Sequence, residues 1–263
     1  HIPSLVRKNV ADGSRVIKLM TSSAARTIEL RPEEVAAAVA EAHWHEVPVA
    51  VHANFSERSI DTAVSAGCDT LEHGFSISAD TASLMAEQGT CLCATSVALQ
   101  SIVDKPGPVK QSARRNLVDR AVAHLPLARS SFERAADAGV TLIAGTDAGV
   151  IGVTFDYLPR ELATMVRWGA PPVKALQAAT CAAARALRRP DLGHLEPGGM
   201  GDVLLVRSNP LHDVGALTHV EAVVQGGVVR RLESPNRLSG LHGDPPPGQA
   251  LPGTTSRSAG PAR

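Results

Sequence analysis

Between Ser14 and Arg188 the chain repeats one pattern, a short apolar run followed by a turn and a stretch of helical period. The apolar runs are SRVIKLM (14–20), VPVAVHA (47–53), DTLEH (69–73), TCLCATS (90–96) and VTLIAGTDAG (140–149). After the first comes RPEEVAAAVAEAHWHE, where Pro32 suits a first helical turn and Glu33 and Glu34 complement the positive N-terminal end. Val35, Ala38, Val39 and Ala42 line one face of that helix. SERSIDTAVSAG and SADTASLMAEQG are helices stopped by Gly67 and Gly89, and a longer helical region, broken around 104–108, runs to Gly139. Two more helices are expected near 159–168 and 171–188. Each strand reads as apolar on both faces, which predicts a parallel sheet covered by helices. A barrel and an open doubly wound sheet both satisfy this pattern.

After Pro190 the texture changes. GDVLLVR (201–207), HVEAVVQGG (219–227) and VVR (228–230) are short strands separated by Asn-Pro and Gly-Gly turns, a small β portion over 191–231. From 232 to 263 the chain is rich in Pro, Gly and Ser and has little to bury, which predicts a disordered tail. Residues 1–190 are left for the α/β portion.

A length of 263 residues suits one domain of barrel size. With 26 basic and 26 acidic side chains, the charge gives no electrostatic argument for nucleic acid or an anionic membrane. No apolar run approaches the roughly 20 residues needed to span a bilayer. Cys68, Cys91, Cys93 and Cys181 form no CxxC pair, and CLC at 91–93 reads as small buried apolar residues on a strand. Nothing in them calls for an oxidising compartment, and a cytoplasmic location is expected. The chain opens HIPSLVRKNV, without an initiator methionine, which reads as processing or as a fragment.

Three histidines lie close together in EAHWHEVPVAVHA. His43 and His45 form an HxH pair, but at the end of a helix residues two apart point about 200° apart and cannot converge on one ion. His52 differs, because it closes a strand at the end where parallel barrels place their chemistry. The feature recurs: His73 closes TLEH, Asp147 follows LIAGT, and Lys18 lies near the end of the first strand on the face of Val16 and Met20. Singly, each has a bland reading as core histidine, snorkelling lysine or capping aspartate. Four such residues at four matching strand ends point to a site.

IKLMTS, VAVHA, TLEHG and GTDAG together resemble the metal-dependent amidohydrolase superfamily, in its branch of imidazolonepropionase-related enzymes and Xaa-Pro or Xaa-Arg/Lys dipeptidases. ALQAATCAAARAL (175–187) and LGHLEPGGMGDVLLV (192–206) extend the resemblance, which covers roughly Ser14 to Arg230. It implies a TIM-type (β/α)8 barrel, here about strands four to eight, with part of a C-terminal β-sandwich. It also implies two divalent metal ions, zinc by preference, bridged by a CO2-derived carbamate on Lys18. His52 and His73 would hold the more exposed ion as neutral imidazoles. Asp147 would bind the other and act as general acid/base, taking a proton from a bridging hydroxide and delivering it to the leaving amine.

The implied activity is hydrolysis of amide-type C–N bonds in a small-molecule substrate, a dipeptide or cyclic amide; self-association into a homo-oligomer is left open. The family's first two ligands form an upstream HxH that this chain does not contain, so it is expected to be the C-terminal two-thirds of a hydrolase and inactive alone. Gly199 and Gly201 replace the usual Lys and Ala of the sandwich motif. Arg160 and Tyr157 are weighed as contacts for a substrate carboxylate but read better as surface and packing residues. The rival readings are a mononuclear imidazolonepropionase- or deaminase-like enzyme and a non-catalytic, degenerate barrel fragment.

Overall fold

The structure is a computed structural model that describes residues 1–21, 30–104, 111–150 and 152–232, with backbone alone at 111–117 and 232. Five parallel strands pair in sequence order: β1 (Ile17–Met20), β2 (Val49–Ala53), β3 (Thr70–His73), β4 (Cys91–Cys93) and β5 (Leu142–Ile143). Parallel neighbours need crossovers, and helices supply them. α1 (Ile2–Ala11) precedes the sheet; α2 (Pro32–Trp44), α3 (Glu57–Ser65) and α4 (Ala79–Gln88) each join consecutive strands. α5 (Ser96–Asp104) and α6 (Gln111–Asp137) together carry the chain from β4 to β5.

Local chemistry sets the helix ends. Pro32 opens α2, and the Glu34 carboxylate accepts from the Arg31 N–H at 2.9 Å. Ser56 and Ser78 cap α3 and α4, accepting from Ser59 N at 3.2 Å and Thr81 N at 3.1 Å. Gly89 closes α4 in the left-handed conformation that glycine adopts without steric cost (φ 79°). The α2 stripe falls where its spacing predicts, with Val35, Ala38, Val39 and Ala42 all buried.

Pairing register sorts the strand residues into two faces. Ile17, Val49, Val51, Leu71 and Leu92 share one face and are buried in one core with Ile60, Ala63 and Val64 of α3. The other face carries Lys18, Met20, Ala50, His52, Thr70, Glu72, Cys91 and Cys93. The strands are therefore not apolar on both faces as the sequence suggested. Their helix-facing side is apolar, and the opposite side carries the polar groups. On β1 that second side is open, with Lys18 and Met20 exposed.

Other differences are matters of extent. β5 holds only two residues before the chain turns into the glycine-rich loop that the sequence places at its end. The helix expected over 171–188 is two, α8 (Pro172–Ala178) and α9 (Cys181–Ala186), following α7 (Leu158–Arg167). The break falls at Thr180, where Gly193 packs so closely that a Cβ there would lie 2.5 Å from the Thr180 carbonyl carbon. α1 has no counterpart in the sequence reading.

Beyond residue 200, β6 (Val203–Val206), β7 (Val220–Gln225) and β8 (Val228–Leu232) form an antiparallel sheet. Gly226 and Gly227, both at positive φ (57° and 77°), make the two-residue turn between β7 and β8. That turn explains Gly201, whose Cβ would meet Gly227 N at 2.9 Å. The glycine there has a packing reason. The segment read as a disordered tail lies, from 233 onward, outside the described residues. Among the described residues, no helix is long and apolar enough to cross a membrane.

Candidate active site

The candidate residues gather at the carboxyl ends of the strands. In the β2–β3 pairing His52 stands beside Glu72, and Ala53 beside His73. Strict alternation would thus send His52 and His73 to opposite faces of the sheet. They meet nonetheless, because His73 leaves the extended conformation (φ 74°) at the strand end. Its Nε2 lies 2.7 Å from Nδ1 of His52, with the rings edge to face at 4.4 Å between centroids. The next strand end repeats the device. Thr95 also has positive φ (47°), and its Oγ1 lies 2.7 Å from Nδ1 of His73. A β-branched residue adopts that conformation only where its surroundings enforce it.

Burial makes these rings neutral. His73 is buried, and its pKa is pushed down to about 3 by desolvation first, then by the His52 and Lys18 charges. His52 is lowered as well, by burial and Lys18, with Asp147 and Glu72 acting the other way. Neutral imidazole is the form that binds a metal. Nε2 of His52 is buried without a hydrogen-bond partner, while Thr95 occupies Nδ1 of His73 and leaves its Nε2 turned to His52. A partner on the second ring nitrogen is how metal-binding histidines are oriented.

Lys18 lies on the face of His52, two residues before Met20, the β1 residue that pairs with His52. Asp147 follows β5 in the glycine-rich loop, exposed and in a left-handed conformation (φ 54°). The fold brings His52 and His73 into contact and sets Lys18 and Asp147 within electrostatic reach of them. It does not draw Asp147 into one cluster with the two rings: among the described residues, no three His, Cys, Asp or Glu side chains are grouped to hold an ion.

The HxH pair sits at the other end of the strands. His43 Nε2 lies 2.7 Å from the Asp69 carboxylate, which also accepts from Val49 N at 2.7 Å and from Arg188 at 3.2 Å. His45 reaches Glu41 instead, at 3.2 Å. Arg160 stacks over the buried ring of Tyr157 at 4.4 Å, a cation–π packing pair.

Three residues of the site escaped the sequence reading. Thr95 holds His73. Glu72 accepts from Thr70 Oγ1 at 2.7 Å and from the Cys93 thiol. Glu161 of α7 is buried and accepts from Ser96 N at 3.0 Å and Val97 N at 2.8 Å. The signal for Glu72 was present, since it is two residues from Thr70 and shares the face of His52. Thr95 and Glu161 left no local signal, because their partners lie 22 and 65 residues away.

The sequence matches the model of the Amidohydrolase family over residues 3–232. The chain belongs to the amidohydrolase family. It is 31% identical to an uncharacterized protein of Mycobacterium tuberculosis, over 86% of this chain and 61% of that protein. It is likewise 31% identical to an ochratoxinase of Aspergillus niger, over 83% of this chain and 46% of the other. Among solved structures, a Xaa-Pro dipeptidase with methionine bound in its active site superposes with a TM-score of 0.77 at 30% identity. That match covers 87% of this chain and 57% of the dipeptidase. The chain thus spans about three-fifths of the length of the mycobacterial relative.

The family sets a test for the strand ends, since its members generally use divalent metals. Here the donor chemistry fits in part. Two neutral imidazoles converge: His73 is held on its far side by Thr95, and His52 keeps its buried Nε2 unpartnered. Lys18 on β1 and Asp147 after β5 lie within electrostatic reach of His52.

Proposed function

We propose that this chain carries part of the metal-binding site of a hydrolase that cleaves amide-type C–N bonds in a small substrate, a dipeptide or a cyclic amide. One observation carries the reading: His52 and His73, turned toward each other by a left-handed residue at a strand end. Lys18, as its carbamate, with His52, His73 and Asp147 would hold two divalent ions, zinc by preference. Bound, the ions would polarise the scissile carbonyl and acidify a water.

The remaining work falls to the chain's own groups. CO2 adds only to the neutral Lys18 amine, and the carbamate so formed would release a proton and offer two oxygens. His52 and His73 stay neutral through burial and keep their lone pairs available. The Asp147 carboxylate, on an exposed loop, can accept a proton at one oxygen and return it to a leaving amine nitrogen. Thr95 keeps the His73 ring from rotating.

The five strands, paired in sequence order with β1 and β5 at the edges, are read as strands four to eight of a (β/α)8 barrel. Residues 191–231 are read as part of its β-sandwich. The likeness to a Xaa-Pro dipeptidase favours a substrate with a prolyl or similar C-terminal residue.

The reading is tested on the whole protein by zinc content and by turnover against a panel of Xaa-Pro dipeptides and cyclic amides, before and after His52→Ala/His73→Ala. Loss of both metal and hydrolysis is expected. Hydrolysis that survives the double substitution would show that the chemistry lies elsewhere. Two ions per chain falling to one or none in Lys18→Met would separate the binuclear form from a mononuclear deaminase-like one.

A further inference from the structure

Glu161 lies on α7, 14 residues past Asp147, yet its side chain is only 1% exposed. Its two oxygens are divided between two backbone donors, Oε1 on Ser96 N and Oε2 on Val97 N. Those are the first two residues of α5, whose N–H groups have no partner within the helix. The residue immediately before them is Thr95, held at φ 47° with its hydroxyl on His73. A continuous path therefore runs from a buried carboxylate, through the first turn of a helix and a strained threonine, to the two-histidine pair.

A cap on α5 alone would need no such arrangement. Ser and Thr cap helices from the residue before the first turn, and Thr95 stands next to that turn. Here its hydroxyl is turned to His73 instead, and a carboxylate 65 residues away satisfies the turn. We propose that Glu161 is a positioning residue for the candidate active site: by clamping the Ser96 and Val97 N–H groups it holds Thr95 in the left-handed conformation that keeps its hydroxyl on His73. This rests on reading His52 and His73 as a donor pair, and the test separates the two.

The full chain, labelled with 15N, is followed by the ring-nitrogen correlations of its histidines and by Zn2+ titration. In the unsubstituted chain His73 shows a single tautomer. Glu161→Gln still offers an oxygen to one N–H but turns an NH2 group toward the other. It is expected to give His73 a mixture of tautomers and to weaken Zn2+ binding roughly tenfold or more. Glu161→Asp, a milder change that keeps the charge, is expected to give a smaller shift of the same kind. Thr95→Val should reproduce the effect, and Thr95→Val/Glu161→Gln should be no worse than Thr95→Val alone, since the two act in series. Thr90→Val removes a buried hydrogen bond to the Cys68 carbonyl at the opposite ends of the strands, and should lower stability while leaving the His73 signals in place.

The inference is overturned if Glu161→Gln lowers stability as Thr90→Val does but leaves His73 unmoved. It is equally overturned if the effects of Thr95→Val and Glu161→Gln on Zn2+ affinity multiply. A chain that binds no Zn2+ yet shows the His73 change would uphold the positioning role and remove the metal reading.

Discussion

A Cβ on Gly145 would stand 2.6 Å from the Cys93 sulfur, well inside contact distance. Gly145 lies on the segment leading from β5 to Asp147, and Cys93 closes β4, so the lack of a side chain lets the loop pass the strand. Gly145→Ala is expected to cost about 1–3 kcal/mol, the usual cost of overpacking. Gly145→Ala/Cys93→Ala should recover part of it. Urea unfolding of the three variants gives the coupling, and strictly additive costs would show that the two positions do not clash.

Thr95→Val keeps the shape of the threonine and removes its oxygen. Since Oγ1 is the partner of His73 Nδ1, the ring is expected to sample both tautomers and Zn2+ affinity to fall about 10–100-fold. Calorimetric titration with Zn2+ measures this. An unchanged affinity would mean that the threonine does not orient the ring.

Glu161 makes stability depend on pH, and its sign is fixed by its pKa. Burial raises the carboxyl from 4.5 to about 7, against the lowering pull of the hydrogen bonds from Val97 and Ser96. Between those values the native state holds a proton that the unfolded chain has released, so stability falls as pH rises from about 4.5 to about 7. The slope reaches at most about 1.4 kcal/mol per pH unit. Glu161→Gln should flatten that segment of a plot of stability against pH. A slope that persists in the variant would assign it to other groups.

The four cysteines should differ in reactivity. Burial pushes the Cys68 thiol up to about 12 and raises those of Cys91 and Cys93, the last also through Glu72. Cys181 is half-buried. Peptide mapping after brief alkylation of the folded chain at pH 8 is expected to find label on Cys181 first. Early label on Cys68 or Cys93 would show that the core opens locally.

Much of the fold can be read from local pattern. Strand and helix alternate as the apolar runs predict, Ser56, Ser78 and Gly89 mark helix ends by their own chemistry, and the α2 stripe buries Val35, Ala38, Val39 and Ala42 as its spacing requires. The end of β2 and of β3 could be placed from the sequence, and so His52 and His73 were found. The resemblance of their surroundings to amidohydrolases is matched by the family assignment over residues 3–232.

Period-two alternation places neighbouring His52 and His73 on opposite faces, and no local rule turns one of them back. His73 and Thr95 are among the non-glycine residues that carry left-handed backbone. Such a conformation persists where packing and hydrogen bonds from distant segments over-determine it, and next to Thr95 a carboxylate 65 residues along the chain accepts from Ser96 N. The sequence alone determined which elements form and which polar residues end them, since propensity and periodicity act within a few residues. Tertiary structure decided which way those residues face, because that depends on contacts between strand ends and helices far apart in the chain.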